Sequence, residues 1–366
     1  MEVTQVVFFW DKSLNPSAIH AKPTLIETQQ SARLVRIPME YTVTEESFDS
    51  LNSYWADVRH DLRWDILFVL PRWLEVWWQI FGSGAQLHLR AVRQRERIIG
   101  IAPLSIKEKT TSIIGSADVC DYLDFIVTPG MEREFFNVLL DDLEQKGIGQ
   151  LDLKTVRPDS TVLTDLVALA KQRKYEVLCQ EEGVSVELDL PSTWDEYLAI
   201  LTKKQRHEVK RKLRRLWEAD NLNYRCIKVG QEVENFMDIF LKLFSLSQED
   251  KANFMTTQME SFFRSLAKTM AKIGLLRVGI LELNEVPAAM IMGFDYNNAM
   301  YLYNSAYDPD YGYLSVGLLS KVLCIKESIK RGNKKWDFLK GGEPYKYHIG
   351  GEEIPLYACQ IKIKWG

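Results

Sequence analysis

The sequence predicts an α+β protein built of two similar domains in tandem. Two observations predict this. The same order of helices and strands occurs twice along the 366 residues, and each copy ends in a strand whose aspartate lies five residues after a glycine. These pairs are Gly147 with Asp152 and Gly332 with Asp337. A repeat this long indicates two domains, because solenoid repeats span only about 20–50 residues.

We expect four segments along the chain. Residues 1–50 mix polar residues and proline with little periodicity, and we interpret them as a peripheral extension that can add an edge strand. Residues 51–190 form a first domain, which we expect to be degenerate. Residues 191–230 form a basic connecting helix and strand. Residues 231–366 form the second domain, where we expect the active site.

The first copy begins with an aromatic helix that contains Trp73, Trp77 and Phe81. Apolar residues at helical spacing predict this helix and a second one with Phe135 and Leu143. Alternating apolar residues predict strands. They are expected at 87–92, 98–105 and 121–125, followed by the strand of Asp152.

The second copy repeats this order. Periodicity predicts helices near 259–266 and 314–329 and strands at 275–283, 287–296, 301–305 and 335–340. The last two strands are joined by a helix, so a right-handed crossover should place them side by side and parallel. If they splay, their facing backbone groups can bind an extended ligand arm.

A long amphipathic helix is expected between the two copies. Ser192 or Thr193 can cap its start, with an acid at the reciprocal position, and apolar residues continue to 216. Residues 203–215 hold eight Lys and Arg against the single acid Glu208. This face is either an anion site, with Lys204 and Arg206 reaching phosphates, or a solvated face that docks on acidic surface.

The composition excludes several classes of protein. A net charge of −4 gives no global attraction to nucleic acid or membrane, and no apolar run reaches the length of a membrane span. No export signal is recognisable at the N-terminus. The five cysteines are scattered singly, which argues against a disulfide framework or a zinc site. We therefore expect a cytoplasmic protein with reduced thiols.

A metal site is not expected either. Asp118, Asp121 and Asp124 are close in sequence. On a strand, Asp121 and Asp124 would face opposite sides, so the three carboxylates would not converge.

The motifs of nucleotide binding, serine hydrolysis and zinc proteolysis do not occur in the sequence. Direct attack of a substrate amine on an activated acyl group needs none of these motifs and is therefore compatible with the sequence. That reaction needs a base, amide donors for the oxyanion and a cradle for the phosphates of the leaving group. The helix that begins near Ser315 offers such a cradle, with Ser315 as its cap. Gly317 either allows close approach of a ligand or serves close packing.

Several segments of the second half resemble a known family. Residues 303–309, the helix after them, and the pattern Asp-Phe-x-x-Gly-x-x-x-Tyr-Lys at 337–346 are similar to GNAT-type acetyltransferases. The closest likeness is to the CelD-like branch, the cellulose-biosynthesis-type acetyltransferases, which is related to the Fem peptidyltransferases. Leu201-x-x-Lys204-x-Arg206 and Lys251-x-x-Phe254 fit the same pattern. The resemblance spans roughly residues 60–362 and implies two tandem GNAT-like domains, each a mixed twisted sheet flanked by helices.

The resemblance implies transfer of an acyl group, with acetyl-CoA or another acyl-CoA as the expected donor. The acceptor would be an amine of a small molecule or of a glycan or peptidoglycan precursor. Residues 310–317 depart from the usual phosphate loop of GNAT enzymes, so a Fem-like transferase that uses aminoacyl-tRNA stays open. A non-catalytic two-domain binding protein is the third alternative.

The expected catalytic residues are Asp337, Glu343 and Tyr345. Asp337 or Glu343 is the candidate base for the amine, although Asp337 could be a structural aspartate like Asp152. Tyr345 or Tyr303 is the candidate general acid or orienting hydroxyl, or else a core aromatic.

The expected binding residues lie around the same turn. Lys346 would pair with a phosphate or carboxylate of the donor or acceptor, or else with Glu343. Asn304 and Ser305 would line the cleft or form hydrogen bonds at the strand end. Ser315 and Gly317 complete the predicted donor site, and Tyr303 the predicted substrate site.

Overall fold

The computed structural model describes residues 40–116, 118–219, 221–228, 230, 232–247 and 253–363. Most of the expected extension, residues 1–39, and Lys251 of the resemblance lie outside these residues. The described end of the extension forms β1 (Tyr41–Glu45), which pairs antiparallel with β2 (Gln86–Gln94) at one end of the sheet. The expected edge strand is therefore confirmed.

Among the described residues, thirteen strands form one mixed sheet. The remaining strands are β3 (Arg97–Lys107), β4 (Thr110–Ile113), β5 (Ile126–Val127), β6 (Gln150–Val156), β7 (Glu176–Asp189), β8 (Leu222–Lys228), β9 (Leu276–Leu283), β10 (Val286–Tyr296), β11 (Ala299–Tyr307), β12 (Lys335–Lys340) and β13 (Glu352–Lys362). Their order is β1-β2-β3-β4-β6-β13-β7-β12-β11-β10-β9-β8, and β5 pairs with β3.

Helices flank this sheet. They are α1 (Phe48–Ala56), α2 (Pro71–Phe81), α3 (Glu132–Gln145), α4 (Val167–Gln172), α5 (Trp194–Ile200), α6 (Lys203–Trp217), α7 (Val233–Ser247), α8 (Thr257–Lys272), α9 (Val316–Arg331) and α10 (Pro344–His348). In the described part of the chain, no helix combines the length and apolar character needed to cross a membrane.

The two halves of the sheet have the same construction. In each half an antiparallel run leads to one parallel pair, β4 with β6 and β11 with β12. The predicted parallel arrangement of the last two strands is confirmed. The expected α+β architecture of two similar tandem halves with flanking helices is confirmed as well.

The halves also exchange their final strands. Strand β13 of the second half pairs with β6 and β7 of the first, and β7 of the first half pairs with β12 of the second. The sheet is therefore continuous across the halves. The expected boundaries at residues 50, 190 and 230 stay predictions.

Two expected elements differ from the structure. Residues 121–125 are irregular backbone and not a strand; β4 occupies the corresponding place in the first half. The expected long helix is two helices, because a second capping box, Thr202 with Gln205, starts α6 directly after α5. The first box, Thr193 with Glu196, agrees with the predicted start signal.

The expectation that all cysteines are reduced thiols is wrong for one pair. Cys179 on β7 and Cys359 on β13 lie opposite each other in the antiparallel ladder and form a disulfide. A pairing across 180 residues of sequence leaves no local spacing signal. Only the strand exchange brings the two sulfurs together.

A shared aromatic core joins the halves. Trp73 of α2 is fully buried and makes edge contacts with Phe294 of β10 and Tyr303 of β11, at ring distances of 5.2 and 5.3 Å. Such pairs contribute about 0.5–1.5 kcal/mol beyond burial. The first half therefore packs directly behind the strand that carries the expected site residues.

Candidate active site

A cavity of about 740 Å³ lies where β11 and β12 separate. The two strands pair at Ala299–Tyr301 and Lys335–Asp337, and the register ends there. Beyond that point both strands line the cavity, which we call the splay cavity. It brings together most of the predicted residues, namely Tyr303, Asn304, Ser305, Ser315, Gly317, Glu343, Tyr345 and Lys346.

Asp337 stabilises the point at which the strands separate. Its Oδ1 accepts hydrogen bonds from the Leu339 N–H at 2.7 Å and from the Tyr122 hydroxyl at 2.8 Å. The β12–β7 register shifts between Asp337 and Leu339, and Leu339 has a positive φ of 64°. The carboxylate therefore fixes a bulge that ends the pairing with β11.

The predicted grouping of Asp337 with Glu343, Tyr345 and Lys346 is not what the structure shows. Asp337 is 2% exposed and lines a second cavity of about 610 Å³, which also contains Arg157 and Glu187. Burial, together with the nearby Glu187, raises the pKa of Asp337 to about 7. Asp337 lies on β12 before the bulge at Leu339, whereas Glu343, Tyr345 and Lys346 come after the end of that strand.

The N-terminus of α9 forms one wall of the splay cavity. Ser315 occupies the N-cap position, but its side chain makes no capping hydrogen bond. The predicted hydroxyl cap is wrong because Ser315 ends the 3₁₀ turn Pro309–Leu314 in a left-handed conformation, with φ 59°. Capping side chains need an extended backbone. The first-turn N–H groups are therefore not capped by Ser315 and can meet an anion.

Gly317 lies in the first turn of α9 against Tyr307. A Cβ at this position would lie 2.9 Å from the Tyr307 ring. This close packing explains the glycine without a ligand. The glycine nevertheless brings α9 close to β11, which shapes the cavity wall.

Two lysines that sequence reasoning missed line the cavity near this helix. Lys321 is buried, donates to the Gly317 carbonyl at 2.7 Å and lies 4.9 Å above the Tyr345 ring. Lys212 of α6 also lines the cavity. In the sequence, Lys321 interrupts the apolar face of a helix, and that interruption was the available signal.

The basic helix α6 approaches the cavity at a different place from the one predicted. Lys204 is exposed, and Arg206 donates to the Leu198 carbonyl at 3.4 Å. Neither residue lines the splay cavity, whereas Lys212, two turns further along α6, does. The direction of α6 places Lys212, and not Lys204 or Arg206, at the splay cavity. The composition of the helix does not reveal this direction.

Lys346 is 2% exposed and is surrounded by acceptors of the protein itself. Its Nζ donates to the carbonyls of Leu339, Lys340 and Gly341 at 3.0, 2.8 and 2.9 Å and pairs with Glu343 at 2.9 Å. The ammonium thus holds the turn after β12. It has no remaining N–H for the phosphate that the sequence reading assigned to it.

Glu343 is more than half exposed at the cavity rim, and Tyr345 is half-buried beside Lys321. Burial raises the pKa of Tyr345 above its usual range, with the charge of Glu343 acting in the same direction. The phenol therefore keeps its proton at neutral pH and can donate a hydrogen bond.

Asp121 is a further residue of the splay cavity that the sequence analysis did not assign to the active site. It lies in the irregular segment of the first half, lines the splay cavity and accepts a hydrogen bond from the Lys340 backbone N–H. Burial raises the pKa of Asp121 to about 6, although Lys346 and Lys340 oppose the shift. The interpretation of residues 121–125 as a strand concealed this role.

Tyr303 holds the segment of Asp121 in place. Its buried hydroxyl donates to the Val119 carbonyl at 3.2 Å. This contact joins β11 of the second half to the first half immediately before Asp121. The structure thus gives Tyr303 a partner inside the protein at the cavity wall.

In the described part of the chain, no group of three or more His, Cys, Asp or Glu residues could hold a metal ion. Asp124, one of the three weighed for such a site, instead accepts hydrogen bonds from Thr161 and from the Phe125 N–H.

Comparisons with known proteins agree with this architecture. The family model for the acetyltransferase (GNAT) domain matches residues 203–347, from α6 to α10. The crystal structure of FemX is similar over 87% of this chain and 96% of that chain, with a TM-score of 0.60 and 11% identity. A conserved protein of unknown function from Bacteroides thetaiotaomicron VPI-5482 is similar over 88% of this chain and 100% of its own, with a TM-score of 0.56 and 12% identity. A comparison with curated protein sequences gives no match. The chain thus has a Fem-like fold of two tandem GNAT-like halves, and its residues 203–347 match a GNAT acetyltransferase domain.

Proposed function

We propose that this protein is an N-acyltransferase that moves an acyl group from an acyl-CoA, acetyl-CoA in the simplest case, to an amine. The observation that carries the proposal is the splay cavity. It combines a helix N-terminus without a side-chain cap and nearby lysines with a partly buried carboxylate, Asp121. These are the parts that direct acyl transfer needs.

The donor would lie between the separated strands. The pyrophosphate of CoA would meet the first turn of α9, with Lys212 and Lys321 as the nearby cations. The extended arm would follow β11 past Asn304 and Ser305, both of which line the cavity. The thioester would then lie near the point where the strands part.

Asp121 is the base in this proposal. As the amine nitrogen attacks the thioester carbonyl carbon, its proton passes to the Asp121 carboxylate. A pKa of about 6 suits this task, because the carboxylate is ionised at neutral pH and is more basic than an ordinary one. Glu343, more exposed and paired with Lys346, would orient the acceptor at the rim.

Backbone and phenol groups would complete the reaction. The β10–β11 register changes between the pairs Phe294–Tyr301 and Met292–Asn304, so β11 carries a bulge at 302–303. A bulge releases an amide from the ladder, and this amide would stabilise the oxyanion. When the C–S bond breaks, Tyr345 would donate its proton to the leaving thiolate.

The acceptor in this proposal is a primary amine of a small molecule or of a glycan or peptidoglycan precursor. Asp337 takes no direct part. It keeps β11 and β12 apart through the Leu339 bulge.

The first test is calorimetric titration of the full chain, freed of nucleic acid, with acetyl-CoA. We expect binding within the range of about 1 μM to 1 mM typical of enzyme substrates. Lys212→Ala should weaken binding by about tenfold, equivalent to about 1.4 kcal/mol. Lys210→Ala, an exposed lysine on the same helix, is the matched control and should bind as the parent protein does.

Absence of heat with folded protein at millimolar acetyl-CoA would reject the acyl-CoA donor. Equal weakening by Lys210→Ala and Lys212→Ala would reject the proposed position of the phosphates. Binding with no turnover in a screen of amine acceptors would favour the non-catalytic alternative.

One observation favours a second donor, aminoacyl-tRNA. Helix α6, whose Lys212 lines the splay cavity, exposes Lys203, Lys204, Lys210 and Arg214. An exposed cationic face of this kind suits a nucleic-acid backbone, and such binding falls steeply with salt. RNA that copurifies with the protein and dissociates at high salt would favour this donor. Lys203→Ala with Lys204→Ala should then weaken tRNA binding but not acetyl-CoA binding.

A further inference from the structure

Two free thiols meet at the far edge of the sheet, away from the splay cavity. Cys226 lies on β8, the last strand of the sheet, and Cys324 lies on α9. Their sulfurs are 3.7 Å apart across 98 residues of sequence. Neither cysteine lines the splay cavity or the second cavity.

The two thiols have different surroundings. Cys226 is partly exposed at the sheet edge, whereas Cys324 is fully buried. The Nη1 of Arg331 lies 3.5 Å from the Cys226 sulfur. Arg331 itself donates to Ser328 Oγ at 3.0 Å and lies 3.9 Å from the Asp295 carboxylate, so its guanidinium is held beside Cys226.

This arrangement favours a thiolate on Cys226. The hydrogen bond from Cys324, assisted by Arg331, lowers the pKa of Cys226 to about 7. The same contact and burial raise the pKa of Cys324 above its usual range. An accessible thiolate beside a second thiol is the usual arrangement of an oxidisable cysteine with its resolving partner.

We propose that hydrogen peroxide oxidises Cys226 and Cys324 to a disulfide, with Cys226 reacting first and Cys324 then resolving the Cys226 sulfenic acid. The pair would tie the edge strand β8 to the helix α9. This inference does not depend on the proposed acyl transfer.

The chemistry is balanced with hydrogen peroxide as the oxidant. The Cys226 thiolate attacks one peroxide oxygen, the O–O bond breaks, and the leaving hydroxide takes a proton to become water. Cys226 is then a sulfenic acid. Cys324 loses its proton and attacks the Cys226 sulfur; the S–O bond breaks and a second water leaves. Two thiols have lost two electrons, and the peroxide has gained them.

The two sulfurs are 3.7 Å apart and must approach to about 2.05 Å when the disulfide forms. Cys324 follows Gly317 by seven residues on α9, or ~10 Å along the helix axis. Because neither cysteine lines the splay cavity, the test measures the oxidation of the two thiols and not turnover.

The test exposes the full chain to hydrogen peroxide, blocks the remaining thiols under denaturing conditions, and maps the cysteines by peptide mass spectrometry. We expect a peptide pair linked through Cys226 and Cys324. In Cys324→Ser, the sulfenic acid of Cys226 should persist and be trapped by dimedone. Cys120 is the internal control, because it is buried and burial raises its pKa to about 12.

Cys226 should react at least on the order of tenfold faster than Cys120, since the thiolate is the reactive form. Arg331→Gln, which keeps both thiols, should slow the reaction of Cys226. Oxidation of Cys226 and Cys120 at the same rate would overturn the proposal. So would a linkage of Cys226 to any other cysteine, or an Arg331→Gln protein that reacts as fast as the parent.

Discussion

Asp121 illustrates how one residue acquires its chemistry from distant parts of the chain. Its carboxylate lies in the first half, yet it lines a cavity between strands of the second half, near Lys340 and Lys346. Tyr303 of β11 holds the same segment through the Val119 carbonyl. The site is thus assembled from both halves. The hypothesis that Asp121 is the base can be tested by the pH dependence of kcat/KM.

Asp121→Asn should lower kcat by about 10²–10⁴-fold with little change in the acetyl-CoA dissociation constant, because the amide cannot accept the amine proton. Burial raises the pKa of Asp121 to about 6, so the parent protein should lose kcat/KM as the pH falls through 6 and Asp121 becomes protonated. The variant should lack this fall. Asp118→Asn, which changes another acid of the same cavity, is the control. An unchanged acid limb in Asp121→Asn would exclude this residue as the base.

Lys346 should act through the turn that it holds. Lys346→Met leaves three backbone carbonyls without their shared donor, and each unsatisfied buried group costs about 1–3 kcal/mol. We expect a clearly lower free energy of unfolding in a urea titration. Glu343→Gln removes only the exposed partner and should change stability by less than about 1 kcal/mol. If Lys346→Met is as stable as the parent and only loses acetyl-CoA affinity, Lys346 contacts the donor directly.

At the scale of elements, the separation of β11 from β12 creates the cavity. Asp337 anchors the bulge on β12, and a second bulge interrupts β11 opposite Gly293. Helix α9 then covers the opening with its N-terminus, at a distance set by Gly317 against Tyr307. Small local irregularities therefore turn a regular sheet into a binding site.

Gly317→Ala should be destabilising, because its Cβ would lie 2.9 Å from the Tyr307 ring. Overpacking of this kind costs about 1–3 kcal/mol and should also displace the first turn of α9. Gly312→Ala is the matched control, since it lines the same cavity and its Cβ would meet nothing within 4 Å. Denaturant unfolding and acetyl-CoA titration of both variants check this. Equal behaviour of the two would show that close packing does not set the position of α9.

At the scale of the whole molecule, the exchanged strands make the halves interdependent. Strand β13 lies between β6 and β7, and the Cys179–Cys359 disulfide connects the exchanged strands. The aromatic core around Trp73 adds a second contact between the halves. A domain boundary near residue 190 would therefore cut the chain but not separate the sheet.

Residues 40–190 and 191–366 expressed separately should each fail to fold cooperatively, because each would leave unpaired strand edges exposed. Expressed together, they should form a complex that unfolds in one transition. Circular dichroism and thermal unfolding of the two fragments and their mixture provide the measurement. An isolated 191–366 fragment that unfolds cooperatively and binds acetyl-CoA would contradict this interdependence.

Local periodicity and short connections predict most of the elements, the duplication and the parallel pair β11–β12. Eight of the residues that meet at the splay cavity were also predicted, since they lie within three short segments at 303–305, 315–317 and 343–346. Local patterns carry such information without knowledge of the rest of the chain.

Which side chains lie together in one cavity depends on how the elements pack. The strand exchange, the Cys179–Cys359 disulfide and the entry of Asp121 into the cavity depend on contacts between residues far apart in sequence. Asp337 lies on β12 before the bulge at Leu339 and lines the other cavity, whereas Glu343 comes after the end of that strand. Lys346 was assigned to a ligand because the sequence shows its charge but not the three carbonyls that surround it. Periodicity fixes which face of an element is apolar, whereas the partners of a charged group are fixed only when the elements pack.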